Sequence, residues 1–158
     1  MEIAHFMTQK VHVLKPHDSL AHARELMEQH RVNQLPVVID ARLAGILTDR
    51  DVRDASPSLF ESEPLRRRKR ALPAGADPRQ ILVESVMTPD VLTLGPSDSV
   101  AAAAQLMRRE RLGSVPIVEG GRLVGIITRS DILDAFLTLS EATQDLLKGD
   151  ILRHKRPQ

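Results

Sequence analysis

The chain has 158 residues, 42% of them hydrophobic and 27% charged, the balance of an ordinary globular protein. Lys and Arg number 22 against 21 Asp and Glu, so net charge supplies no general attraction to nucleic acid or acidic membranes. Cys is absent, which excludes a disulfide framework, a thiolate metal site and cysteine nucleophile chemistry, and fits a reducing cytoplasm.

Shifted by 80 residues, the chain aligns on itself without a gap. Met7-Thr8 falls on Met87-Thr88, Leu26-Met27 on Leu106-Met107, and Pro36-Val37-Val38 on Pro116-Ile117-Val118. Over Ile3–Ala55 against Val83–Ala135, 22 of 53 positions are identical, so the chain is a tandem duplication.

In the first copy, a short segment Val11–Leu14 leads through Pro16 to Asp18-Ser19, a helix N-cap signal. Leu20, Ala23, Leu26 and Met27 then recur at helical spacing. Leu35–Ile39 is a β-branched run of buried-strand type, Asp40-Ala41 a turn, and Arg42–Leu47 the returning hairpin strand. Thr48 opens a second helix whose first turn carries Asp51.

Residues 61–80 form a linker rich in Pro, Gly and Ala, with the run Arg66-Arg67-Arg68-Lys69-Arg70. The run reads either as a nucleic-acid or polyphosphate contact or as a solvated loop. With no aromatic residue or recognition helix beside it, the solvated loop is the better reading. Asp77-Pro78 starts a short helical lead-in, with Asp as cap and Pro in the first helical position.

The second copy repeats the order: Val91–Leu94, Pro96, the cap Asp98-Ser99, a helix with Val100, Ala103, Leu106 and Met107, and the strand Val115–Val118. Gly120-Gly121 suits a tight hairpin because both residues accept positive φ. Arg122–Ile127 returns, and Thr128 opens a helix carrying Asp131. A further helix is expected over Glu141–Leu152, followed by the basic tail Arg153–Arg156. The expected fold class is α+β: repeats at 1–60 and 81–140, each β-α-β-β-α, with a linker at 61–80 and a helical extension and tail at 141–158. A unit of this size is marginal alone. Two units stacking their sheets about a pseudo-twofold axis solve that and create symmetric clefts.

No apolar run approaches the roughly 20 residues that span a bilayer. Met1–Lys10 lacks the charged-then-apolar order of a signal peptide, so no membrane partner is expected. Phe6, Phe60 and Phe136 are the only aromatics, too few for a surface that stacks single-stranded nucleic acid.

The constellation that could carry chemistry is Gly45-x-x-Thr48-x-x-Asp51 and its copy Gly125-x-x-Thr128-x-x-Asp131. Glycine lets another backbone or a ligand approach closely. Threonine at a helix start sets a hydroxyl beside exposed N–H groups and the positive end of the dipole, a place for phosphate. Aspartate one turn later can accept two hydrogen bonds from a vicinal diol. The same residues also make an ordinary helix cap. Finding both copies at the same place favours a ribose-phosphate ligand, although selection for the cap alone stays open.

These motifs resemble a tandem pair of CBS domains, the Bateman module. The resemblance rests on Val86-Met87-Thr88-Pro89, Leu35-Pro36-Val37-Val38, Val115-Pro116-Ile117-Val118 and the two Gly-x-x-Thr-x-x-Asp turns. It covers roughly Ile3–Phe60 and Leu82–Leu139, and departs from pattern at Met7-Thr8-Gln9, which lacks the proline. It implies clefts shared between repeats. One would join Thr8 and Val32-Asn33-Gln34 with Thr128, Ser130 and Asp131. The other would join Thr88 and Leu112-Gly113-Ser114 with Thr48, Arg50 and Asp51. Asp49-Arg50 against Arg129-Ser130 makes the two unequal, and either Arg could reach phosphate.

The resemblance further implies a non-catalytic regulatory module that senses an adenosine-containing ligand. AMP, ADP and ATP are the first choices, with NAD and S-adenosylmethionine behind them, and no obligatory cofactor is expected. Expected partners are a second copy in a homodimer and a separate protein effector. The dimer is expected through apolar helix faces at Leu20, Ala23 and Met27 and helix ends at Ile132, Leu133 and Phe136. Two rival readings stand beside this one: an interaction protein that only dimerises, its clefts empty, and a nucleic-acid-associated regulator using the basic linker and tail. The six histidines share no recurring ligand spacing, so no metal site is expected, and His22 and His30 are expected to face solvent. Met27 and Met107 are expected in the core. No nucleophile–base pair, paired acid or Walker-type loop is present to make an enzyme.

Overall fold

The computed structural model describes residues 1–56 and 77–153, with 145–153 as backbone alone. Residues 57–76 and 154–158 lie outside it, and with them most of the linker, the run Arg66–Arg70 and nearly all of the basic tail.

Each copy opens on a single 3-10 turn, Ile3–His5 in the first and Val83–Ser85 in the second. The first copy continues with α1 (Leu20–His30), β1 (Gln34–Ile39), β2 (Arg42–Thr48) and α2 (Asp49–Ala55). The second has α3 (Val100–Glu110), β3 (Ser114–Glu119), β4 (Arg122–Thr128) and α4 (Arg129–Arg153). β1 pairs with β2 and β3 with β4, both antiparallel, in separate two-stranded sheets.

The local causes are the ones the residues suggest. The Ser19 hydroxyl accepts the His22 amide at 3.2 Å and Ser99 accepts the Ala102 amide at 3.0 Å, so each serine caps its helix. The aspartate before each serine closes the preceding turn instead: Asp18 accepts the Lys15 amide and Asp98 the Gly95 amide, both at 2.7 Å. Arg31 and Arg111 end α1 and α3 in the left-handed region. Leu20, Ala23 and Met27, with their counterparts Val100, Ala103 and Met107, are buried against the strands. Both hairpins turn on two residues of positive φ, Asp40-Ala41 and Gly120-Gly121, as a two-residue hairpin requires.

Four expectations need correction. Val11–Leu14 and Val91–Leu94 are not strands but single parallel bridges, Leu14 to Val37 and Leu94 to Ile117. Only those two leucines carry the pairing, because the residues before them are mostly exposed and have nothing to bury. Asp77-Pro78 starts a turn rather than a helix; the Gln80 amide donates to the Asp77 carbonyl at 2.8 Å and the chain then extends. The boundary expected at 140/141 falls inside α4, which runs unbroken because no Gly or Pro interrupts Leu133–Thr143. Lastly, Leu20, Ala23 and Met27 offer no free face for a dimer, since they pack inside their own repeat.

The lead-ins are exchanged between the repeats. Ile3 is buried in the core of the second repeat, with Val115, Ile117 and Ile127, whereas Ile81 and Val83 are buried in the core of the first, with Leu35, Val37 and Leu47. The bridges are reciprocal: Glu2 with Ser99 and Ser19 with Leu82, then Thr8 with Ile126 and Ile46 with Thr88. Each repeat completes the other's core. Neither is a closed unit, which is how two small units overcome the poor surface-to-volume ratio of one.

Candidate functional site

The exchange sets the geometry of the cleft. Met7-Thr8 crosses β4 at Gly125, and a Cβ there would lie 2.6 Å from the Met7 sulfur and 3.1 Å from the Thr8 carbonyl. Met87-Thr88 crosses β2 at Gly45 in the same way, at 2.7 and 2.9 Å. Glycine is needed at both places for close approach of backbone. Two backbone hydrogen bonds then hold each threonine: Thr8 exchanges them with Ile126 and Thr88 with Ile46, at 2.9 to 3.0 Å. Thr8 is thereby fixed beside the strand that ends at Thr128, and Thr88 beside the strand that ends at Thr48.

At both helix starts the Thr and Asp are mutually engaged. Thr48 donates its hydroxyl and its amide to Asp51 Oδ2, at 2.6 and 2.9 Å, and the Asp51 amide donates back to the hydroxyl at 3.2 Å. Thr128 and Asp131 repeat this at 2.7, 2.6 and 3.3 Å. This is a reciprocal capping box. Each carboxylate takes part through Oδ2 alone, and among the described residues its Oδ1 accepts no hydrogen bond.

A cleft of about 910 Å³ lies across the meeting of the two repeats. Thr8, Val32, Asn33, Gln34, Thr128 and Ser130 all line it. So do Thr48, Arg50 and Gly113, from the second expected set. Asp51, Asp131, Thr88, Leu112 and Ser114 do not line its wall. The two sets thus share one opening over part of their length. Gln34 lies against Gly113, its amide nitrogen 3.5 Å from where a Cβ on that glycine would stand, so the larger residue of one repeat occupies room left by the smaller of the other. Ser114 is 4% exposed, and its hydroxyl has no partner among the described residues.

The cleft is strongly cationic. Lys10, Arg31, Arg50, Arg53 and Arg129 line it, and Asp49 is the one carboxylate among the lining residues. That carboxylate is already committed to Arg24 at 3.0 Å and Arg53 at 2.7 Å. Arg129 donates through Nε to the Leu112 carbonyl at 3.0 Å, which fixes the side chain at the rim. The amides of Arg50 and Ser130 belong to the first turns of their helices, before any intrahelical acceptor is available. Such a cleft favours an anion that also carries hydrogen-bonding hydroxyls.

Lys10, His12, Arg31 and Arg53 were not singled out by the motifs, yet all line the cleft. A signal did exist: Lys10 and His12 correspond to Asp90 and Leu92 in the other copy, a difference in charge at equivalent places. The His12 ring stacks on His30 at 3.5 Å, so His30, expected in solvent, is half-buried under its neighbour. Among the described residues no group of three or more metal-ligating side chains occurs.

Comparison with known proteins agrees with this architecture. The CBS domain family model matches residues 3–58 and 83–138, one match per repeat. A CBS domain-containing protein of Dictyostelium discoideum is 33% identical over 141 residues, covering 88% of this chain and 93% of that protein. An inosine-5'-monophosphate dehydrogenase of Korarchaeum cryptofilum is 31% identical over 128 residues, covering 80% of this chain and only 22% of that enzyme. The CBS-pair protein CBSX2 from Arabidopsis thaliana superposes with a TM-score of 0.72 at 26% identity, over 89% of this chain and 96% of that one. The structure of CBSX2 in complex with AMP gives 0.71 at 27%, over 88% and 98%. With both repeats matched and their lead-ins exchanged about the cleft, the chain belongs to the CBS-domain family as a tandem pair.

Proposed function

We propose that this chain is a non-catalytic regulatory module whose inter-repeat cleft binds an adenine nucleotide or another adenosine-containing metabolite. The observation that carries the reading is the cleft's charge: five Lys and Arg side chains line it, against one carboxylate already held in ion pairs. The similarity to CBSX2, whose structure was solved with AMP, supports it; the capping aspartates do not line the cleft wall but bond to Thr48 and Thr128, which do, and each keeps Oδ1 for a ribose hydroxyl. In this reading Asp51 and Asp131 take ribose, Arg50 and Arg129 take phosphate, and Thr8, Val32, Asn33 and Gln34 face the base in one half. Thr88, Leu112, Gly113 and Ser114 do so in the other.

The module works as a homodimer in the cytoplasm and passes its occupancy to a separate protein effector. The lack of Cys fits that compartment. A thermal-shift panel of AMP, ADP, ATP, NAD and S-adenosylmethionine tests the ligand. A bound nucleotide at 100 times its dissociation constant adds about 2.7 kcal/mol and raises Tm. No shift with any of the five at millimolar concentration would overturn the proposal.

A further inference from the structure

The segment after Thr8 runs from one repeat to the other. Thr8 is bonded to Ile126 of β4, and further on the Leu14 amide donates to the Pro36 carbonyl of β1 while its carbonyl accepts the Val38 amide, both at 2.9 Å. Between these two anchors Lys10, Val11 and His12 line the cleft. The His12 ring is held there by a second ring, the His30 imidazole at the end of α1, with centroids 3.5 Å apart and planes 13° from parallel. The two rings are thus stacked face on face at van der Waals distance.

One face of His12 is covered by that contact. The residue is nonetheless exposed and lines the cleft, so its other face is what it offers a ligand. His12 carries the one aromatic ring among the described residues that line the cleft, and Val11 and Val32 share the wall with it. A flat ring laid on His12 would extend the stack by one layer, and every nucleobase has the π face this requires. The second copy has no such pair. Leu92 and Glu110 stand at the equivalent positions, and Glu110 accepts from Arg109 Nε at 2.6 Å.

We infer that the His12–His30 stack is a platform for the ligand's heteroaromatic ring, which lies on His12, so that the half of the cleft built on Thr8 and Asn33 reads a base by stacking. This rests on the nucleotide reading above and adds to it the side chain that meets the base and the half in which it does so. His30 touches no ligand; it is a positioning residue that fixes the plane of the His12 ring. Stacking needs a π face rather than apolar bulk, so a phenylalanine can replace His12 and a leucine cannot.

The test is calorimetric titration of the full chain with AMP. His12→Leu keeps apolar bulk without a ring, His12→Phe keeps a ring without the imidazole nitrogens, and His30→Ala removes the backing ring; circular dichroism confirms the fold of each. His12→Leu is expected to weaken AMP about tenfold, and His12→Phe to bind within about twofold of the wild-type chain. His30→Ala is expected to weaken AMP about threefold, through the lost ring pair. In the wild-type chain the His12 ring protons are expected to move upfield in proton NMR as AMP is added. A His12→Leu chain that binds AMP like the wild type, a His12→Phe chain that loses as much as His12→Leu, or the absence of an upfield shift overturns the inference and leaves the nucleotide reading standing. An affinity unmoved by His30→Ala overturns the role given to His30. A wild-type chain that binds no AMP overturns both readings.

Discussion

The Thr48 hydroxyl donates to Asp51 Oδ2 at 2.6 Å while the Asp51 amide donates back to that hydroxyl at 3.2 Å. Capping and ligand binding are therefore compatible functions of one aspartate, since the cap uses one carboxylate oxygen and leaves the other. Thr48→Ala removes the hydroxyl and both of its bonds. It is expected to lower stability by about 0.5–2 kcal/mol, read from urea unfolding; an unchanged midpoint would contradict the cap.

The glycines at the crossings are a second point of attack. A Cβ on Gly45 would stand 2.7 Å from the Met87 sulfur and 2.9 Å from the Thr88 carbonyl. Gly45→Ala is expected to cost about 1–3 kcal/mol by overpacking. Adding Met87→Ala should recover only part of the loss, because the carbonyl is backbone and cannot be trimmed. Full recovery in the double variant would show that the backbone crossing is looser than described.

At the hairpin tips the two copies differ in strain. Ala41 holds φ at +66°, where its counterpart is Gly121 at +77°. An alanine in that region costs about 1–2 kcal/mol relative to a permitted conformation. Ala41→Gly should therefore raise the unfolding midpoint, net of the glycine's greater freedom in the unfolded chain. A lower midpoint would contradict this.

The tandem architecture was legible because the shift of 80 aligns motif on motif. The exchange of lead-ins was not. A duplicated sequence places an equivalent apolar residue at Ile3 and Val83 whether each packs on its own repeat or on the other, so the cores they enter and bridges such as Thr8–Ile126 and Ile46–Thr88 decide. Thr48 and Thr128, which line the cleft, were legible as spacing, and so were the aspartates bonded to them, Asp51 and Asp131, which do not line it. Lys10, Arg31 and Arg53 were not, because they reach the cleft through tertiary placement rather than a motif. The pairing of Arg24 with Asp49, 25 residues apart, carries no local signature either.

Unequal halves follow from Arg50 standing where the second copy has Ser130. Arginine presents a planar, permanently charged fork to phosphate, whereas serine offers one hydroxyl. Arg50→Ser should weaken ATP about tenfold or more, a loss of roughly 1.5–3 kcal/mol for a hydrogen bond to a charged group, while adenosine binding changes little. Equal loss for ATP and adenosine in a calorimetric titration would place Arg50 away from phosphate.

The most direct test of the nucleotide reading is calorimetric titration of the chain and of its Asp51→Ala/Asp131→Ala double variant with AMP and ATP. The wild-type chain is expected to bind. The double variant, folded by circular dichroism, is expected to lose binding, because each missing carboxylate removes up to two charge-assisted hydrogen bonds to ribose. Unchanged affinity in the folded double variant would contradict the account.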